Sequence, residues 1–328
     1  MNKNVIIIGG GIVGCLSALE FKKKGFDVTI IEKSNIGYES SSAAAGILYP
    51  LMPWKYDDAL YELSLGSSKF YEELSIKLLK DFNKDIEYIK SGLMLLPPYD
   101  EEDFLRWLNK SKTSFLKKNN SILLPEVAQI NPKKLMSSIK ELVISQNIKI
   151  FENSEIREIK TNKNSIYAVC TNDNKEYKGD IFLLAAGAWS SMIYQKLVKK
   201  IKPIRGQIIE YFANDLIIEN ILYSQGIYIL QRKNRAIIVG STLEDVGFSN
   251  NNLKEKLLEL DRKAKNILKD LQKCPINRTW YGFRPGVDDN YPIVSNDENY
   301  RNMFIHSGHF RYGITTAPAT TKILMSYF

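Results

Sequence analysis

Three glycines and one acid near the start of the chain have the types and spacing to hold a dinucleotide. The stretch from Val5 to Glu32 reads VIIIGGGIVGCLSALEFKKKGFDVTIIE. Four apolar β-formers run into Gly9, Gly10 and Gly11, then Ile12, Val13 and Gly14, and a helical pattern follows from Cys15 to Lys24. A second strand ends on Glu32, about 20 residues beyond the glycines, where a dinucleotide fold presents a carboxylate to a ribose. Gly9 permits the tight turn, Gly11 lets the backbone approach a pyrophosphate with no Cβ in the way, and Gly14 lets the helix pack against the strand. Phosphates would then sit on unpaired N–H groups at the positive end of the helix. This motif alone leaves NAD and FAD both open.

Other stretches could also bring backbone to a ligand. In the loop from Lys33 to Tyr49, Ser40-Ser41-Ser42-Ala43-Ala44-Ala45-Gly46-Ile47 offers small residues that can pass beside a flat ligand and hydroxyls that can bond phosphate or ribose; a plain flexible loop is the alternative. Leu51-Met52-Pro53-Trp54 could line a pocket or cap a core. The apolar strand from Asp180 ends in Ala185-Ala186-Gly187, so its backbone at Ala186 and Gly187 can approach a ligand closely. Near the end, the strand Asn302 to Ser307 meets Gly308-His309-Phe310-Arg311-Tyr312-Gly313-Ile314-Thr315 before a helix from Thr316 to Tyr327.

The elements that must position these stretches can be read in outline. A helical pattern runs from Tyr56 to about Phe82, Gly92 to Leu96 is a strand, Asp100 to Leu108 a helix, and Pro132 to Ser145 a helix leading into the strand Lys149 to Phe151. Strands follow around Glu155 to Lys160 and Tyr167 to Thr171. After residue 200 the rhythm changes. Ile204 to Phe212, Gly226 to Leu230 and Arg235 to Val239 are consecutive strands, the pattern of an antiparallel sheet that can lay one face over a cofactor. A helix from Asn252 to Leu271 and a strand from Thr279 to Phe283 lead to Arg284-Pro285-Gly286. The expected fold is α/β (α+β overall), a Rossmann-like domain interleaved with a mainly antiparallel β-sheet substrate domain. Residues 1–83, 138–205 and 283–328 are expected in the first, 84–137 and 206–282 in the second.

A chain of 328 residues with 44% hydrophobic and 25% charged residues is an ordinary soluble globular protein, long enough for two cores. Its net charge of +8 comes from dispersed lysines such as Lys22–Lys24, Lys117–Lys118 and Lys199–Lys200. That is a solvated surface rather than a nucleic-acid interface, with weak peripheral attraction to anionic membrane or acidic partners left open. No run approaches the ~20 apolar residues that cross a bilayer. Cys15, Cys170 and Cys274 are odd in number and far apart, which suggests reduced thiols, a cytoplasmic setting and no disulfide or metal framework.

Taken together these stretches resemble the D-amino-acid oxidase superfamily of flavoproteins, and within it the glycine oxidase type associated with thiamine biosynthesis. The likeness spans the chain and rests on Gly9 to Gly14 with Glu32, Ala43 to Leu48, Ala185 to Trp189, Pro203-Ile204-Arg205-Gly206-Gln207, Gly240-Ser241-Thr242, Gly282 to Gly286, and Gly308 to Ile314. A nicotinamide enzyme shares only the first motif, so the later ones favour FAD. The resemblance implies that Gly9, Gly11, Ile12, Val13 and Gly14 cradle the FAD pyrophosphate and that Glu32 and Lys33 meet the adenosine ribose. Ser41, Ser42, Ala45, Gly46 and Ile47 would run beside pyrophosphate and isoalloxazine, Ile156 would touch the adenine by backbone, and Ala186 and Gly187 would give a second strand-end contact. His309, Phe310, Arg311, Tyr312, Gly313, Ile314 and Thr315 would face the flavin pyrimidine edge. No counterpart of a covalent flavin cysteine is present, so FAD is expected to be dissociable.

In the same resemblance Arg284 pairs with the substrate carboxylate, a task suited to a planar guanidinium with two parallel donors. Tyr228 falls at the active-site tyrosine and Arg311 at a second cationic position. The implied reaction is oxidation of a small amino acid or N-substituted glycine, by hydride transfer from the α-carbon to flavin N5. The imino acid then hydrolyses to a 2-oxo acid, and O2 or a quinone takes the electrons. Positioning rather than a protein base would supply most of the rate; of the two histidines, His309 serves loop geometry. The alternatives are a D-amino-acid dehydrogenase using quinone, a tRNA-modification oxidase domain acting on a carboxymethylaminomethyl base, and a non-catalytic flavoprotein.

Overall fold

The computed structural model describes residues 3–50, 52–111, 113–213 and 215–328. The chain opens as strand β1 (Asn4–Ile8), helix α1 (Ile12–Lys23), β2 (Asp27–Ile31) and the short helices α2 (Ser40–Ala43) and α3 (Asp58–Ser64), followed by α4 (Ser67–Phe82). Next come β3 (Leu93–Leu95), α5 (Glu101–Ser111), β4 (Leu116–Lys118), β5 (Ser121–Leu124), α6 (Pro132–Ser145) and β6 (Lys149–Phe151). The middle of the chain holds β7 (Ile156–Asn162), β8 (Ser165–Thr171), β9 (Glu176–Lys178), β10 (Ile181–Leu184), α7 (Ser190–Ile193) and β11 (Lys202–Tyr211). The remainder is β12 (Ile221–Ser224), β13 (Ile227–Gln231), β14 (Ile237–Gly240), α8 (Leu253–Ile267), β15 (Ile276–Gly286), β16 (Ile293–Asn296), β17 (Met303–Ser307) and α9 (Gly313–Met325).

Two large sheets organise these elements. The first has the order β16-β17-β10-β1-β2-β6, parallel except for β16. Its central strands β1, β2 and β10 are largely apolar because helices cover one face and the three-stranded sheet β7-β8-β9 backs the other. The second has the order β15-β11-β14-β13-β12-β3-β5-β4, antiparallel apart from the β12–β3 pair. It buries one face against α5 and the other against α8. The fold is thus the mixed α/β arrangement expected. The boundaries expected at residues 205 and 283 fall within β11 and β15.

Local chemistry explains where elements end. Helix α6 starts where expected because the Asn131 side chain accepts from the Lys134 amide at 3.3 Å and Pro132 sits in the first turn; such a cap is worth ~1 kcal/mol. The helix expected from Tyr56 to Phe82 is instead two. Gly66, at φ +76°, breaks the pattern between α3 and α4 although the apolar spacing continues across it. Helix α9 begins at Gly313 rather than Thr316, and α8 stops at Ile267, passing into a short 3₁₀ turn. Strands β4, β5, β9, β12 and β16 are short pieces that the sequence reading left in connections.

Candidate active site

The carboxyl ends of β1, β2, β10 and β17 meet one face of the second sheet across a long cleft with a solvent-accessible interior of about 300 Å³. At its nucleotide end the glycine turn behaves as its spacing requires. A Cβ on Gly14 would stand 2.0 Å from the Gly9 carbonyl oxygen, so Gly14 works by packing and does not itself line the cleft. Gly9, Gly11, Ile12 and Val13 do line it. A Cβ on Gly11 would come within 3.1 Å of Ser41 Oγ, which accepts from the Ile12 amide at 3.0 Å. A hydroxyl oxygen thus already sits at the start of α1, where the helix dipole favours an anion.

Glu32 is buried, and both its oxygens have partners: Oε2 accepts from the Gly10 amide at 2.7 Å, Oε1 from the Ser34 amide at 2.9 Å and hydroxyl at 3.0 Å. It therefore braces the glycine turn while lining the cleft. Lys33 pairs with Glu39 and lies 4.0 Å over the Trp189 ring. Ile156, Ala186 and Gly187 line the same end. Ser42 does not; it lies on the one-turn helix α2, whose Ser40 and Ser41 face the cleft instead. That turn is held in place by Ser40 Oγ donating to the Phe283 carbonyl and Trp280 Nε1 donating to the Ala43 carbonyl at 3.0 Å. The stretch is an anchored turn, not a flexible loop.

Ala45, Gly46 and Ile47 continue along the cleft wall, facing His309 to Thr315 of the β17–α9 turn. Gly313, Ile314 and Thr315 form the first turn of α9, and Thr315 Oγ1 donates to the Ile47 carbonyl at 3.1 Å. His309 Nε2 lies 3.0 Å from Thr320 Oγ1 within the same helix region. Burial pushes the His309 imidazole down to about 3 and holds His306 well below its ordinary range. Because the Ser17 hydroxyl donates to the Val13 carbonyl, His306 Nδ1 is the donor in its 3.0 Å contact with Ser17.

The substrate end is built by period-two alternation on β15. Trp280, Gly282 and Arg284 share a face, so the strand that anchors α2 also delivers the guanidinium. Arg284 donates to Ser241 Oγ at 2.7 Å and to the Thr242 carbonyl at 3.2 Å. It lies flat against Gly206 of the paired strand β11, where a Cβ would stand 2.1 Å from both terminal nitrogens. Burial, and next Arg311, push its pKa down to about 10, so it stays charged at neutral pH. Neither Arg284 nor Arg311 has an acid within ion-pair distance among the described residues. Tyr228 is buried opposite them, its phenol held above the ordinary range by burial.

Beneath Arg284 lies a buried network. Arg205 pairs with Glu244 at 2.5 Å and donates to the Ser249 carbonyl at 2.6 Å; Gln207 and Thr242 donate to the other Glu244 oxygen at 2.9 and 2.5 Å. Sequence reasoning missed Ser241, Trp189, Glu244 and Gly206 as parts of the site. Trp189, Gly206 and Ser241 stand inside motifs that carry the family resemblance, yet only the β11–β15 register shows what Gly206 accommodates. Of the two roles left open for Leu51-Met52-Pro53-Trp54, the described residues take the core-capping one. Leu51 lies outside the described residues, and Met52, Pro53 and Trp54 do not line the cleft. Trp54 packs on Phe104 and Trp107, with ring centres at 5.4 and 5.8 Å, because the apolar face of α5 needs covering. None of the three cysteines lines the cleft.

A dinucleotide cleft that runs from a Rossmann turn into a pocket holding unpaired guanidinium groups defines an oxidoreductase of the flavin-dependent class. The chain belongs to the FAD dependent oxidoreductase (DAO) family, whose sequence model matches residues 4–326. It is 29% identical to the glycine oxidase of Pseudomonas aeruginosa over 99% of this chain and 94% of that protein. It is 28% identical to the bifunctional protein ThiO/ThiG of Nostoc, over 99% of this chain and 52% of that one. The glycine oxidase structure from Bacillus cereus shares its fold, with a TM-score of 0.89 at 22% identity over 99% of this chain and 94% of the other. No described helix is long and apolar enough to cross a membrane.

The site fits FAD on its own terms. A Cβ-free cradle at Gly11 leads to a helix start already occupied by a neutral oxygen acceptor, and the cleft continues without a break from there to Arg284.

Proposed function

We propose that this chain catalyses the FAD-dependent oxidative deamination of glycine or a small N-substituted glycine, giving an imino acid that water hydrolyses to a 2-oxo acid and ammonia or an amine. The observation that carries the reading is the pair Arg284 and Arg311, two guanidinium groups in the cleft with no acid partner among the described residues. Both are partly buried, and a cation drawn out of water without an acid partner is costly unless a ligand anion completes it. Arg284 offers two parallel N–H donors to a carboxylate, and Tyr228, kept protonated by burial, offers a phenolic donor beside it. FAD, when bound, accepts the two electrons removed from the substrate. The chain's own part is to fix the carboxylate and so the direction in which the α-carbon points.

Among the described residues, no histidine or acid lining the cleft stands ready as a general base. Glu32 is fully engaged, His309 is paired with Thr320, and both imidazoles are held neutral. We assign the cofactor residues the roles expected of them, with Ser42 withdrawn and Gly14 acting through packing alone, and expect a dissociable cofactor, since none of the three cysteines lines the cleft. The relatives named glycine oxidase and ThiO/ThiG support glycine-type substrates, O2 as acceptor and a place in thiamine biosynthesis. An anaerobic screen of the yellow protein against glycine, sarcosine and D-alanine tests this directly: one of them bleaches the flavin, and air restores the colour with stoichiometric peroxide. Failure of every substrate to bleach it refutes the reading, whereas bleaching reversed only by a quinone identifies a dehydrogenase. Acid precipitation leaves the yellow colour in the supernatant.

A further inference from the structure

Besides Arg205, the chain buries another guanidinium that the proposed reaction does not use. Arg232 follows the last residue of β13, on the same face as Tyr228 four residues earlier, and is only 8% exposed. Its Nη1 donates to Gln129 Oε1 at 3.0 Å and to the Ile130 carbonyl at 2.7 Å, and its Nη2 donates to the Ala45 carbonyl at 2.5 Å. The other carbonyls of the cleft-wall segment are also taken. The Gly46 oxygen accepts from the Ile130 amide at 2.9 Å, and the Ile47 oxygen from Thr315 Oγ1 at 3.1 Å. Every carbonyl from Ala45 to Ile47 is thus turned to a protein donor. The three amides find no acceptor among the described residues, although all three residues line the cleft.

We infer that Arg232 is a positioning residue that holds the Ala45–Ile47 carbonyls away from the cleft, so that the segment presents its amide N–H groups to the edge of the bound flavin ring. The inference rests on the reading that the ring lies against this segment. Two physical consequences follow. Fixed N–H dipoles stabilise the negative charge a flavin ring gains on reduction, and they do so most in a water-poor cleft where they need no reorganisation. Without the charged donor, the buried Ala45 carbonyl lacks a partner and the segment can rotate to expose it toward the ring, an acceptor where a donor belongs. The same side chain ties the segment to the end of the strand carrying Tyr228 and acts on the cofactor wall, leaving the carboxylate clamp at Arg284 to its own partners.

The test compares wild type, Arg232→Met and Arg232→Lys as FAD-loaded proteins, reading FAD dissociation constant, visible flavin spectrum, midpoint potential and affinity for a carboxylate competitor such as glycolate. Methionine lowers the midpoint potential and weakens FAD by about tenfold or more, as expected for loss of a charge-assisted hydrogen bond. Competitor binding by calorimetry changes by less than about threefold, and lysine restores part of the potential. A Met variant with wild-type potential and spectrum but lower thermal stability overturns the inference, leaving Arg232 a purely structural residue. Should the Met variant fail to fold, the lysine variant decides by the same criterion: an unshifted potential and spectrum overturn the inference. A wild-type protein that binds FAD yet oxidises no amine defeats the proposed reaction without touching this result.

Discussion

Gly206→Ala is the sharpest test of the carboxylate clamp, because it adds one methyl group and no charge. Gly206 lies in β11 opposite Gly282, and its backbone φ is not in the left-handed region, so alanine suits the strand. The obstacle is space. The added Cβ would stand 2.1 Å from both terminal nitrogens of Arg284, while ordinary contact begins at 3.4 Å. The guanidinium must withdraw by about 1.3 Å, which breaks its alignment with Ser241 Oγ and with any carboxylate it holds. Losing one charge-assisted hydrogen bond costs about 1.5–3 kcal/mol, or about tenfold to somewhat over a hundredfold in affinity. The measurement is a calorimetric titration of the FAD-loaded protein with glycolate, beside steady-state kinetics with the substrate found in the anaerobic screen. FAD affinity should hold within about threefold, with the loss falling on KM and competitor binding. A variant that binds glycolate like wild type would mean that Arg284 does not hold the carboxylate from its observed position.

Three further outcomes follow from the same contacts. Arg284→Lys keeps the charge but loses the planar fork, and kcat/KM should fall by about 100-fold with FAD binding retained; equal activity in the lysine variant would show that a point charge suffices. Glu244→Leu strands the buried Arg205 guanidinium, so the urea midpoint should drop by the equivalent of ~3 kcal/mol, and an unchanged midpoint would deny that the pair is desolvated. Stability should also fall on mild acidification. Burial depresses both imidazoles, so the unfolded chain binds more protons below pH 6.5, and stability present above 6.5 is lost as the pH drops toward about 3. The slope is about 1.4 kcal/mol per pH unit for each imidazole, and urea midpoints at pH 7 and 5 that coincide would refute it.

The parts of the molecule legible from sequence were those governed by local rules. The unit from β1 to β2 could be read because turn, helix and terminal acid lie within one stretch and each glycine has a steric reason. Helix α6 was readable from its start at Pro132, and the structure adds the Asn131 cap. What stayed hidden depends on partners distant in the chain. The short strands β4, β12 and β16 carry too few residues for periodicity to show, and exist because a neighbouring edge needs pairing. Trp54 was a pocket candidate because an aromatic beside a small-residue loop could face either way, and the uncovered face of α5 decided it. Arg232 gave no signal at all: a lone arginine in the run Gln231-Arg232-Lys233 looks like solvated charge until the fold buries it.

That contrast bears on how the cleft divides its work. The residues readable in sequence, Gly9 to Gly14 and, apart from Arg311, the β17–α9 turn, are proposed to serve the cofactor through backbone, so their side chains are constrained by what must be absent. The second sheet contributes charged side chains, of which Arg284 was readable in the sequence while Arg205 and Arg232 were not, each fixed by carbonyls, hydroxyls or acids from another strand or loop. Arg284 is set by Gly206, Ser241 and Thr242, Arg205 by Glu244 and Ser249, and Arg232 by Gln129, Ile130 and Ala45. All three guanidinium groups belong to β11, β13 or β15 or the residue just beyond, strands joined through neighbours in one sheet, so a shift of β11 would move the carboxylate clamp and its buried support together. The first sheet would then hold the nucleotide much as any Rossmann unit does and lend Arg311 to the acid pocket, while the other groups proposed to select among acids stand on the second sheet. Substitutions that alter substrate choice should cluster on β11, β13, β15 and the residues after β14, and those in the Gly9–Gly14 turn should weaken FAD without changing the order of preferred substrates.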